Sequence, residues 1–198
     1  MHSGFSDPRN HRFIITGGPG FGKSTLIDEL EQKGFQVYKD VARKLIQSGM
    51  EAPIWSEESR KGTFFRQIFK DRLTDYLDCV PPKIGFFDRG LPDSIAFTRH
   101  MGLQPAESML DAIRASPYNP NIFLTPVWPE IFTNDEIRKE DVKKAAILDA
   151  HIREVYGELG YRIIELPKSD LQTRVDFILD KISNLLGYKV IDNISLLE

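Results

Sequence analysis

The chain has 198 residues, a formal net charge of −3 and a single cysteine, Cys79. That length suits one α/β domain, and the near-neutral charge excludes a general attraction to nucleic acid or anionic membrane. One cysteine excludes an internal disulfide framework and agrees with a reducing cytoplasm. No apolar run approaches a membrane span, and no charged-then-apolar stretch resembles a secretory signal.

Residues 1–11 are polar, with Gly, Pro and Asn, and read as a mobile tail ahead of the domain. Arg12 to Thr16 is a β-branched and aromatic run, as expected of a buried parallel strand. Gly17 to Ser24 then reads G-G-P-G-F-G-K-S. This fits G-x-x-x-x-G-K-[ST], a loop whose backbone N–H groups cradle phosphates. Lys23 would set a positive charge against the outer phosphates, and the Ser24 hydroxyl would ligate magnesium. Leu26, Ile27 and Leu30 follow at helical spacing, and Lys33-Gly34 stops that helix.

Four more strands alternate with helices, which argues for an α/β fold with a parallel sheet covered on both faces. They are Gln36-Val37-Tyr38, Ile84 to Phe87 ending at Asp88, Asn121 to Leu124, and Arg162 to Leu166. Between the second and third, Phe64, Phe65, Ile68, Phe69, Leu73, Tyr76, Leu77 and Val80 form one continuous apolar helical stripe. Cys79 at the end of that helix reads as an inert, half-buried thiol. Ala145, Leu148, Ile152 and Tyr156 mark a later helix, and Leu171 to Leu185 the last. Residues 187–191 read as a short extended segment packed late, within a C-terminal tail from 187 to 198. The four histidines (His2, His11, His100 and His151) have no metal-ligand spacing.

Ligands of open α/β sheets gather at the carboxyl ends of the strands. There Asp88 ends an apolar strand and can hold magnesium beside Ser24, with Arg89 facing the same cleft. Asp40, at the mouth of the second strand, can serve as general base toward an acceptor hydroxyl or as the N-cap of the following helix. Asp93 is similarly divided between a helix cap and a contact to the acceptor, and Arg43 follows Asp40 on the acceptor side. Residues 129–144 read as a polar lid in which Arg138 would neutralise charge during transfer. Lys139, Lys143 and Lys144 are lesser candidates.

The glycine loop, the string Asp88-Arg89-Gly90-Leu91-Pro92-Asp93, the Asn134-Asp135-x-x-Arg138 segment and Leu159 to Pro167 together resemble a known group. The chain is similar to the NadR-like AAA-domain ATPases, relatives of ribosylnicotinamide kinase and, more distantly, of nucleoside and nucleoside-monophosphate kinases. The resemblance covers about Phe13 to Leu186. It implies a three-layer P-loop NTPase fold with strand order 2-3-1-4-5, ATP or GTP with magnesium, a lid carrying Arg138, and an adenine-side loop around Pro167 to Arg174. Gly18, Pro19, Gly20, Phe21, Gly22, Lys23, Ser24 and Thr25 would line the donor. A chain this short has no room for the extra helical domain of hexameric motors, so a monomer or dimer is expected.

The function expected is a magnesium-dependent phosphotransferase acting on the hydroxyl of a small metabolite, with Lys23, Asp40, Asp88, Arg89 and Arg138 as the catalytic set. Asp40, Arg43, Arg89 and Asp93 would hold the acceptor. The alternative is a nucleotide-dependent switch or adaptor with slow hydrolysis.

Overall fold

A computed structural model describes residues 11–50, 58–80, 82–132 and 142–191. Five short strands carry the centre: β1 (Arg12–Thr16), β2 (Gln36–Tyr38), β3 (Gly85–Asp88), β4 (Asn121–Leu124) and β5 (Arg162–Glu165). Every pairing is parallel, and the order is β2-β3-β1-β4-β5. Seven helices connect them: α1 (Lys23–Gln32), α2 (Val41–Gln47), α3 (Glu58–Asp78), α4 (Leu91–His100), α5 (Glu107–Ala115), α6 (Val142–Glu158) and α7 (Leu171–Leu186).

The two-residue period of the strands separates two cores. Phe13, Ile15, Phe86 and Phe123 point to one face, where α1 and α7 supply Leu26, Leu30, Val175 and Ile178. Ile14, Phe87, Ile122 and Leu124 point to the other, against Ile95 of α4 and Leu148, Ile152 and Tyr156 of α6. Both faces of the three inner strands are therefore buried, and their sequences read as unbroken apolar runs.

The ends of the helices follow from local chemistry. Gly34 takes φ +91° after α1, and Phe35 N donates back to Leu30 O, closing the helix. Asp170 caps α7 by accepting from Thr173 N at 2.9 Å, and Gly187 ends it at φ +78°.

Several expectations need correction. The stripe of α3 does not run through to residue 80: the helix stops at Asp78, with Leu77 and Val80 mostly exposed. Cys79 is fully buried, because its sulfur closes on Gly85 of β3. Residues 187–191 form no strand; the chain turns back so that Val190 enters the second core and its N–H meets Ser183 Oγ at 3.1 Å. His11, placed with the tail, is buried where it leads into β1.

Candidate functional site

The carboxyl ends of β1, β2 and β3 bring the glycine loop, Asp40 and Asp88-Arg89 to one side of the sheet. Gly17, Gly20 and Gly22 have φ of +127°, +79° and +78°, angles that side chains resist and that turn successive amides inward. The loop is held from two sides. A Cβ on Gly17 would collide with Thr125 after β4, and one on Gly18 would stand 2.7 Å from Ala145 O of α6. Its end starts α1, with no capping side chain and no acid in the first turn. An uncapped positive helix end facing a glycine nest is an anion site. Ser24 and Thr25 sit in that first turn, Ser24 half-buried and Thr25 exposed.

Lys23 is 6 % exposed, and its Nζ donates to Gly18 O at 2.5 Å. Burial lowers its pKa to about 7, with repulsion from Arg89 adding to the fall and Asp88, Asp40 and Asp93 opposing it. Those electrostatic neighbours come from three other segments, so the fold gathers Lys23, Asp40, Asp88, Arg89 and Asp93 into one buried charged group.

Asp88 ends β3 at 4 % exposure, and its Oδ1 receives no hydrogen bond from the protein, while the carboxylate lies in the field of Lys23 and Arg89. A buried carboxylate and a hydroxyl at a helix start are the hard oxygen donors that magnesium prefers. The pair fits that ion.

Arg89 adopts φ +74°, left-handed backbone in a residue that has a Cβ. The turn is fixed by Arg89 N donating to Ile15 O at 3.0 Å, which ties the end of β3 to β1. The guanidinium is buried, donates from Nη1 to Asp93 Oδ1 at 3.2 Å and lies 5.0 Å from the centre of the Phe97 ring. Burial alone would lower its pKa, yet Asp93, Asp40 and Asp88 raise it.

Asp93 is fully enclosed and saturated. Its Oδ1 accepts from Thr16 Oγ1 at 2.5 Å and from Arg89; its Oδ2 accepts from Gly90 N at 2.8 Å and Tyr156 OH at 2.7 Å. Four donors use the acceptor capacity of a carboxylate. It joins β1, the β3 turn, α4 and α6, and this argues against the direct acceptor contact expected of it.

Asp40 is the N-cap of α2: its Oδ1 accepts from Ala42 N at 3.0 Å. The cap is real, and the same carboxylate sits among the charges around Lys23. Arg43, one turn into α2, is half-buried. Arg138 and Lys139 lie outside the described residues. Of the expected lid, Pro129–Ile131 is a 3-10 turn, Phe132 packs 5.7 Å from the Phe21 ring in the glycine loop, and Lys143 and Lys144 are exposed in α6.

Sequence reasoning missed Thr16, Tyr156 and Arg72 as parts of this region, and had Arg174 only as the end of the adenine-side loop that the resemblance implies. Arg174, buried in α7, donates to Phe21 O at 3.3 Å and lies 6.0 Å from the Trp128 ring centre.

Comparison with known proteins places this geometry. A family model described as an AAA domain matches residues 12–174. No curated protein matches. Among solved structures, a NadR protein in complex with NAD and AMP-PNP aligns with TM-score 0.68 at 15 % identity, over 92 % of this chain and 52 % of that one. The chain thus spans about half the length of the NadR proteins it resembles. Deoxyadenosine kinase from M. mycoides with bound dATP aligns at 0.62 and 14 %, over 87 % of this chain and 99 % of its own. Shikimate kinase from Aquifex aeolicus vf5 aligns at 0.52 and 18 %, over 89 % and 99 %. These likenesses establish the P-loop kinase fold, and with the family model spanning most of its length the chain belongs to the AAA_28 family of AAA domains.

Proposed function

We propose that the chain binds ATP or GTP with magnesium and transfers the terminal phosphate to the hydroxyl of a small metabolite. The observation that carries this is the buried group of Lys23, Asp40, Asp88 and Arg89 beside an uncapped helix start and a glycine nest. A switch that only binds nucleotide needs no general base, and Asp40, a buried carboxylate at the mouth of β2, is suited to serve as one.

The donor's phosphates lie on the loop amides from Gly18 to Thr25, with Lys23 turning from Gly18 O to the outer phosphates. Ser24 and Asp88 would hold magnesium, which would supply positive charge against the phosphates. The acceptor hydroxyl gives its proton to Asp40 as its oxygen bonds to the terminal phosphorus, and the bond from that phosphorus to the bridging oxygen of the departing diphosphate breaks. Capping occupies Asp40 Oδ1 and fixes the orientation of the side chain. Arg89 faces the phosphate being transferred, held in place by Asp93, which acts through Arg89 as a positioning residue. Arg43 borders the acceptor side, and Arg138, outside the described residues, would neutralise charge during transfer. Arg174 and Trp128 flank the loop on the donor's base side.

Nucleotide and a small-molecule acceptor are the partners of this reading; no helix among the described residues is long and apolar enough to cross a membrane. The test is a metabolite panel screened for ADP or GDP release, with Lys23→Ala as the control. Acceptor-stimulated release that Lys23→Ala loses supports the transferase. Release indifferent to every acceptor favours the nucleotide switch.

A further inference from the structure

Arg72 interrupts the apolar stripe of α3. It stands seven residues past Phe65 and four before Tyr76, on the face that packs against α4. It is only 4 % exposed. Nη1 donates to Ser94 Oγ at 2.8 Å, a neutral partner, and Nε has no acceptor. Among the described residues no carboxylate makes an ion pair with it. Asp75, one turn along α3, feels its charge, but burial dominates and still holds that carboxyl above its ordinary value.

Arg89, whose Nε also lacks an acceptor, is the instructive contrast. It is equally buried, but Asp93 sits against it as a counter-charge. Arg72 meets a serine at the next position of the same helix. A guanidinium taken from water without a counter-ion is costly, and an anion that reached it would supply the missing charge. The place borders the candidate site. Ser94 adjoins Asp93, which bonds Thr16 at the start of the glycine loop. Arg89 and Arg72 reach the first turns of α4 from the end of β3 and from α3, and between those helices the Phe65 and Phe97 rings stand 6.5 Å apart.

We propose that the acceptor of this site is an anion: a small molecule whose hydroxyl meets Asp40 and whose carboxylate or phosphate pairs with Arg72. This rests on the transferase reading and narrows it. The planar fork of Arg72 matches either group, and Ser94 adds a hydroxyl beside it. A neutral acceptor would leave the charge uncompensated in the loaded protein.

The test fills the glycine loop first, so that it cannot capture the probe. Protein loaded with magnesium and AMP-PNP is titrated calorimetrically with inorganic phosphate and, separately, with acetate. Saturable binding of at least one is expected, weakened about tenfold or more in Arg72→Met, the loss of one charged hydrogen-bonded pair. Ser94→Asp leaves Arg72 in place and supplies an internal counter-charge, so it should abolish the binding and raise Tm. Phosphate alone binding indicates a phosphorylated acceptor, and acetate alone a carboxylic acid. If the wild-type protein binds neither anion, or if Ser94→Asp binds as tightly as wild type, the proposal is overturned. Failure of the transferase reading would look different: anion binding dependent on Arg72 would persist while no acceptor stimulated diphosphate release.

Discussion

Lys23 holds its proton weakly in the nucleotide-free protein, because burial strips its hydration and Arg89 repels it. With its pKa near 7, most of the side chain is neutral at pH 8. Phosphate oxygens would restore the charge, so ADP binding at pH 8 should take up most of one proton. Calorimetry in buffers of differing ionisation enthalpy measures this directly, and uptake near zero would mean that Lys23 does not meet the phosphates. The same depression makes stability pH-dependent: between about 7 and the ordinary 10.5 the unfolded chain binds more protons, so Lys23 adds stability as pH rises through that window. Asp40 allows its two roles to be separated. Asp40→Asn keeps an oxygen to cap α2, so its stability should stay within a few tenths of a kcal/mol of wild type. Transfer should nevertheless fall by about 10²–10⁴-fold, the usual contribution of a general base. An unchanged rate in this variant would reduce Asp40 to a cap.

At the level of elements, the junction of β1, the β3 turn, α4 and α6 depends on Asp93. Tyr156→Phe removes one donor from a buried carboxylate and should cost about 1–3 kcal/mol, read as a lower Tm or denaturant midpoint. It should also slow transfer by loosening Arg89; an unchanged midpoint would show that the hub tolerates the gap. The elements themselves were unevenly legible. Strands β1, β3 and β4 could be read because both their faces are buried, and Asp40 announced a helix start by its side-chain chemistry. Helix α5 was missed: it is short, and Met109 and Leu110 are only partly buried, with Ile113 the one fully buried position. The α3 stripe was read too far because exposed Leu77 and Val80 keep the spacing of the buried residues before them. Asp93 stayed divided between helix cap and acceptor contact: the Gly90 N–H it accepts bears out the cap, while its donors from residues 16, 89 and 156 are brought together only by the fold. Arg72 was overlooked for the opposite reason. An arginine in an apolar stripe passes as a snorkelling side chain until its burial is seen.

In the whole molecule, the sheet separates two cores, and the glycine loop is pinned between β4 and α6. Nucleotide that binds only the folded state should therefore stabilise all of it. At a concentration a hundred times Kd the gain is about 2.7 kcal/mol by mass action. A thermal melt should display that gain for the wild-type protein and lose it for Lys23→Ala, whose nucleotide-free Tm should be no lower; a Lys23→Ala protein still stabilised by nucleotide would contradict the assignment of the loop. The account stands or falls on where the terminal phosphate goes. Labelled at that position, ATP or GTP should yield label bound covalently to an acceptor, mole for mole with the diphosphate released, in wild-type protein and not in Lys23→Ala. Label appearing only as inorganic phosphate, at a rate no acceptor changes, would contradict it.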